Sequence, residues 1–180
     1  MFLLEGLTQL GMFADSMETV LFSWLRLDLF DLLFVVTAIV FNIQVMGVYI
    51  ASKQKQMDMV KNFGAVMLIL ALPLAIVFIY KLIIGSEQWI ILAFTTIFLY
   101  LALELLCDFI LKTNFRAKPI YHIPYIILFY VVEFSLIAIA FSIDKGAGYL
   151  VSISFWVLLL CLVYSIWPGT GRLLKRGEQQ

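Results

Sequence analysis

Three carboxylic acids stand in stretches of the chain that offer them no water. Glu104 and Asp108 sit four residues apart in one long apolar run, and Glu133 interrupts another. An ionisable side chain in hydrocarbon is costly unless it is paired, wetted or neutralised, so each of these acids needs a partner. The four-residue spacing puts Glu104 and Asp108 on one helix face, and Thr96 and Tyr100 extend that face into a polar stripe. His122 and Glu133 are 11 residues apart, about three helical turns, and share a face bordered by Tyr130. Gln44 and Thr37, seven apart, lie together on a third apolar segment, where Asn42 points to a different side.

Two kinds of chemistry suit such groups. Intramembrane acids and histidines are the parts from which proton relays and cation paths are built. On that reading Glu104, Glu133, Asp108, Gln44, Tyr100 and His122 line a polar path. Asp108 and His122 would stand at its inner mouth, Glu104 and Gln44 roughly 10 Å deep, and Glu133 roughly 10 Å deeper still. The alternative is mechanical. A protonated glutamate can hydrogen-bond a glutamine or tyrosine on another helix and hold a bundle together, at about 0.6–2 kcal/mol per contact. Asp108 lies within a turn of Lys112 and within reach of Arg116, which favours pairing at the membrane surface. His122, beside Tyr121 and Pro124, also suits an interfacial anchor.

Other chemistries find little support. No H-E-x-x-H, G-x-S-x-G or Cys/His cluster occurs, which argues against catalysis, a metal or a cofactor. An intramembrane lipid enzyme using His122 with Asp108 is the remaining enzymatic option. Cys107 and Cys161 are far apart in apolar runs and read as packing residues. The tail GTGRLLKRGEQQ has a G-x-G but neither a preceding strand nor a following Lys-Ser, so no nucleotide site is expected. Twelve basic and twelve acidic residues cancel, leaving no field that would recruit nucleic acid.

The elements that must position these residues follow from composition. Of the 180 residues 64% are apolar and 13% charged, with a mean hydropathy of +1.05. A soluble domain is nearer half apolar and a quarter charged, so this chain requires lipid to cover it. A spanning helix needs about 20 apolar residues, and five segments qualify: Leu29 to Ile50, Phe63 to Ile84, Trp89 to Leu111, Ile120 to Ile143 and Tyr149 to Trp167. Trp89, Tyr121, Tyr149 and Trp167 mark their ends, where amphipathic rings are favoured. Pro73 should kink the second span, and Pro124 should distort the start of the fourth. Ala71-x-x-x-Ala75 and Gly47-x-x-x-Ala51 permit close helix approach.

Orientation follows from the basic residues between spans. Lys53, Lys55, Lys61, Lys112, Arg116, Lys118, Arg172, Lys175 and Arg176 fall on one side, and Arg26, Lys81 and Lys145 on the other. The positive side faces the cytoplasm, which places the C-terminus inside and the N-terminus outside. Residues 1–25 carry Leu3, Leu7, Leu10, Ala14, Met17 and Leu21 at helical steps, interrupted by Glu5, Asp15 and Glu18. That pattern reads as an amphipathic surface helix, acidic enough to dock on protein as readily as on lipid.

The expected organisation is therefore an all-α integral membrane protein of the cell membrane. It has an interfacial helix at 1–25, a five-span bundle at 26–168 and a basic tail at 169–180. Two functions compete for it: small-ion or proton-linked transport, as a homo-oligomer because five helices enclose little volume, or an accessory or scaffold role beside a protein partner in a larger membrane complex.

Overall fold

Helices form wherever the apolar runs are long. The computed structural model describes residues 27–54, 56–106 and 119–166. The helix expected at 1–25, Asp108 and the tail at 169–180 lie outside the described residues, as does the side chain of His122. Among the described residues 92% are helical and none is in a strand. The helices are α1 (Leu29–Lys53), α2 (Met57–Ile69), α3 (Ala71–Ile83), α4 (Gln88–Glu104), α5 (Pro119–Ile143) and α6 (Lys145–Ile166).

Four stretches are long and apolar enough to cross a membrane: Leu29–Lys53, Asn62–Ile83, Ile123–Ile143 and Lys145–Ser165. At 25 residues, α1 and α5 are each about 37 Å long, against a hydrocarbon core of about 30 Å. The 17 residues of α4 reach about 25 Å, and Leu105 and Leu106 continue it in a wider, π-type turn. The second expected span is two helices, α2 and α3, meeting at Leu70. The break lies three residues before Pro73, which has no N–H to return to the Ile69 carbonyl. There the Leu70 amide is shared between the Val66 and Met67 carbonyls at 3.3 and 3.2 Å.

The turns are built from specific local bonds. Between α3 and α4, Gly85 takes φ +71°. Its amide donates to Leu82 O at 3.2 Å and that of Ser86 to Lys81 O at 3.0 Å, the two bonds of a Schellman ending that a left-handed glycine permits. A single residue, Asp144, joins α5 to α6. Its carboxylate accepts from the amides of Gly146 at 2.7 Å and Ala147 at 3.3 Å, satisfying first-turn donors of α6 as an N-cap should.

Contacts along the helices define their directions. Asp31 pairs with Lys81 and Phe30 stacks on Tyr80 at one end, and Gly47 lies against Phe63 at the other, so α1 is antiparallel to the α2–α3 pair. Phe34 meets Phe94 and Phe41 meets Tyr100, so α1 and α4 are parallel. Phe134 meets Phe155 and Phe141 meets Tyr149, making α5 and α6 an antiparallel hairpin. Asn42 reaches Ser154 and Lys53 reaches the Tyr164 carbonyl, so α6 runs parallel to α1. Helix α1 is the centre of the arrangement. It packs most extensively on α6 and α2 and buries Phe34, Val35, Ala38, Phe41 and Val45. The close approach of α2 depends on Gly47, where a Cβ would stand 2.8 Å from the Phe63 ring.

The outer faces are as apolar as the interior. Leu72, Leu92, Trp156 and Leu160 are each more than 60% exposed. Apolar groups on both sides of the helices are consistent with a surrounding of lipid.

Candidate functional site

Buried polar side chains gather at two places on α5, set by one row of residues at four-residue steps: Tyr125, Phe129 and Glu133. Such a row forms a single ridge along a helix.

At one end of the ridge is Glu133, with none of its surface exposed. It meets Asn42 of α1, also fully buried. With the Asn42 amide turned so that its NH2 faces the carboxyl, Nδ2 lies 2.8 Å from Glu133 Oε2 and 2.9 Å from Oε1. The Asn42 carbonyl then accepts from Ser154 Oγ of α6 at 2.7 Å. Three helices thus each supply one polar side chain to a single point. No described lysine, arginine or histidine forms an ion pair with Glu133; the salt bridge among the described residues joins Lys81 to Asp31.

At the other end the Tyr125 hydroxyl donates to Glu104 Oε2 at 2.8 Å and lies 2.8 Å from the Tyr100 hydroxyl. Glu104 is 6% exposed and Tyr100 2%. Eight residues separate Tyr125 from Glu133, so the two clusters stand about 12 Å apart along α5. Aromatic rings fill the interval. Tyr100 contacts Phe41, Tyr125 and Phe129 with centroids 6.3, 5.4 and 5.9 Å apart. Phe41 adjoins Asn42 in sequence, and Phe129 precedes Glu133 by one turn.

The sequence-derived candidates divide accordingly. Glu104 and Tyr100 come together as their spacing suggests, joined by Tyr125. Glu133 belongs to a separate cluster whose amide is Asn42 and not Gln44. The Gln44 Oε1 is buried without a hydrogen-bond partner. Gln44, two positions on from Asn42, leaves α1 about 200° round from it. Thr37 donates to the Leu33 carbonyl at 2.6 Å, and Thr96 to the Leu92 carbonyl at 3.0 Å. Both hydroxyls are satisfied by their own helices, so the stripe of α4 does not extend through Thr96. Thr96 instead lines a groove on the outside of α4 and α5, with Trp89, Phe134 and Ser135. Tyr130 packs its ring on Phe129 and Phe155.

Asn42, Ser154 and Tyr125 are the participants that face-sharing alone did not single out. The signal for Tyr125 was present in the four-residue row leading back from Glu133. For Asn42 and Ser154 the signal was their residue type, an amide and a hydroxyl deep in apolar helices.

A second polar contact lies near one end of the bundle. Lys81 Nζ is 2.7 Å from Asp31 Oδ1, with the two side chains 12% and 18% exposed. At the opposite end Lys53 donates to the Tyr164 carbonyl and lies 3.6 Å from the centre of its ring. Among the described residues no group of three or more His, Cys, Asp or Glu could hold a metal ion. Comparison with family models, with curated proteins and with solved structures finds no match to this chain.

Proposed function

We propose that the chain is a multi-pass protein of the cell membrane that carries a proton or a small ion through its intramembrane carboxyls. Five spans are assigned, the bent α2–α3 pair counting as one and α4 as another, with the N-terminus outside and the C-terminus in the cytoplasm. The alternating helix directions and the nine-to-three division of basic residues support this arrangement. The observation that carries the functional reading is Glu133. A fully buried carboxyl whose hydrogen-bond partner is the Asn42 amide has no counter-charge among the described residues. A charge so placed is neutralised by taking up a proton or a cation, and groups of that kind mark ion pathways within membranes. Glu104 with Tyr125 and Tyr100 supplies a second station nearer the cytoplasm. Asp108 and His122 are assigned to the mouth beyond it. The rings between the stations fill a single bundle, which favours a homo-oligomer as the working form.

The test is proton and cation flux into proteoliposomes containing the wild type, Glu104→Gln or Glu133→Gln. Flux in the wild type that falls at least tenfold in Glu133→Gln supports the reading. Absence of flux across a panel of monovalent cations and protons, with all three proteins folded, refutes it and leaves the carboxyls as helix-to-helix bonds.

A further inference from the structure

The Glu133, Asn42 and Ser154 side chains form a chain of hydrogen bonds across α5, α1 and α6 that can be occupied by protons in two ways. When Glu133 is a carboxylate, the Asn42 NH2 donates to it and the Asn42 carbonyl accepts from Ser154 O–H, with separations of 2.8, 2.9 and 2.7 Å. When Glu133 carries a proton, the opposite direction opens once the carboxyl turns so that only its O–H oxygen faces the amide, because the Asn42 amide position now lies within 2.9 Å of both carboxyl oxygens. The Glu133 O–H donates to the Asn42 carbonyl, Asn42 Nδ2–H donates to Ser154 Oγ at 2.7 Å, and Ser154 O–H donates to the Val151 carbonyl at 2.8 Å. Each arrangement gives the amide carbonyl and the hydroxyl proton a partner; the carboxylate form also gives both carboxyl oxygens a donor, whereas the acid form uses its O–H alone. A mixed arrangement sets acceptor against acceptor, which is expensive in a buried network.

We infer that this cluster is a proton-binding site in which the Asn42 amide reverses when Glu133 gains or loses its proton, passing the change to Ser154 on α6. The inference rests on the reading of Glu133 as an ion-carrying carboxyl and names the ion. A metal cation is disfavoured because the Asn42 amide is already in hydrogen-bond contact with both carboxyl oxygens, leaving no gap between them. Among the described residues, titratable and charged groups on the helices packed against α5 have contacts of their own, Tyr49 and the Tyr100 that meets Tyr125 included. Asp31 holds Lys81, Lys53 holds the Tyr164 carbonyl, and Glu104 holds Tyr125. On α5 itself Tyr130 packs between Phe129 and Phe155, and Asp144 caps α6. On α6, Lys145 and Tyr149 lie more than a turn before Ser154, and Cys161 lies two turns beyond it. Among the described residues, the hydrogen bonds that lead away from Glu133 run to Asn42 and from it to Ser154.

The chain contains three asparagines, Asn42, Asn62 and Asn114, which makes the amide observable. The experiment is infrared spectroscopy of the full chain in lipid vesicles, with asparagine labelled at the side-chain carbonyl, recorded as pH is varied. The Glu133 carboxylic-acid band is assigned by its loss in Glu133→Gln, and the Asn42 band by its loss in Asn42→Leu. The expected result is a reversible shift of the Asn42 band with the same midpoint as the loss of the Glu133 band. In Ser154→Ala the Asn42 shift should shrink while the Glu133 band still titrates. An Asn42 band that stays fixed while Glu133 titrates overturns the inference. So does a Glu133 band that is absent or invariant throughout the range where helical circular dichroism is retained. A response to added sodium, potassium or calcium at fixed pH in place of a response to pH also overturns it, in favour of a cation site. Paired titration without flux in proteoliposomes sinks the transport reading alone, whereas Glu133-dependent flux with a fixed Asn42 band sinks only the relay.

Discussion

Removing Asn42 should cost stability mainly through what it does to Glu133, and a double-mutant cycle can measure that share. Both residues are fully buried, so neither can exchange its partner for water. Asn42→Leu, close in shape, leaves the carboxyl without its amide donor. Glu133→Leu leaves the amide with Ser154 alone. Stranding one buried polar group costs about 1–3 kcal/mol, which sets the expected effect of each single substitution. Replacing both partners leaves no stranded pair, so the double variant should be less destabilised than the sum. Coupling between polar side chains in membrane bundles averages about 0.6 kcal/mol and reaches about 1.7 kcal/mol. Here one amide nitrogen lies within 2.9 Å of both carboxyl oxygens, which places the pair towards the upper end, at about 1–1.7 kcal/mol. The assay is reversible unfolding in mixed micelles, followed by circular dichroism, for the wild type, the two single variants and the double variant. Additivity within about 0.3 kcal/mol, the tolerance for independent sites, would refute the argument, since it would mean that Glu133 and Asn42 do not share an interaction.

Charge reversal should separate the Lys81–Asp31 pair from the apolar packing around it. Its exposure lies between that of a surface pair and a buried one, so Asp31→Asn or Lys81→Met should cost about 1–2 kcal/mol, and the double swap Asp31→Lys with Lys81→Asp should recover part of it in the same unfolding assay. Equal losses in the single and swapped variants would show that the pair contributes nothing. Phe129→Ala opens the ring layer between the two polar clusters, and a narrow apolar constriction blocks ions by excluding water. Proton leak through proteoliposomes should rise several-fold relative to wild type and to a Phe129→Leu control; unchanged leak with retained helicity would remove the rings from any gating role.

The helices were legible in the sequence because run length and hydropathy respond to the surroundings of a whole segment. Pro73 likewise disclosed the break at Leu70, since a missing amide hydrogen acts on the chain a turn behind it whatever the packing. Partner choice was less legible. Residues on one helix can be assigned to a common face from spacing, but the rotation of that face about the bundle depends on every neighbouring side chain. Asn42 and Gln44 differ by two positions and about 200° of helix, and only packing decides which of them meets Glu133. Thr96 shows the other gap. Spacing aligns it with Tyr100 and Glu104, yet a helical threonine can bond its own carbonyl one turn back and so leave the shared face chemically silent. Ser154 has the same option toward Val151 and becomes part of the cluster because Asn42 is within reach.

The single ridge of α5 gives the two clusters different mechanical settings. Beyond Glu133 the helix enters the hairpin at Asp144, whose carboxylate ties the first turn of α6. That link is one residue long, so α5 and α6 must move together there. Towards the other end, Pro124 stands inside α5 immediately before Tyr125. Its missing N–H leaves the Ile120 carbonyl without its usual bond and removes one constraint on bending. The Tyr125–Glu104 station therefore sits beside the part of α5 best able to change its angle, while Glu133 sits on the part held by the hairpin. On the proposed reading this divides the labour between the stations. Bending near Pro124 would control access from the cytoplasm, and the Glu133–Asn42–Ser154 cluster would hold the proton. Phe129 lies between them on the same ridge, so a tilt that moves Tyr125 must also shift the ring that keeps the stations apart.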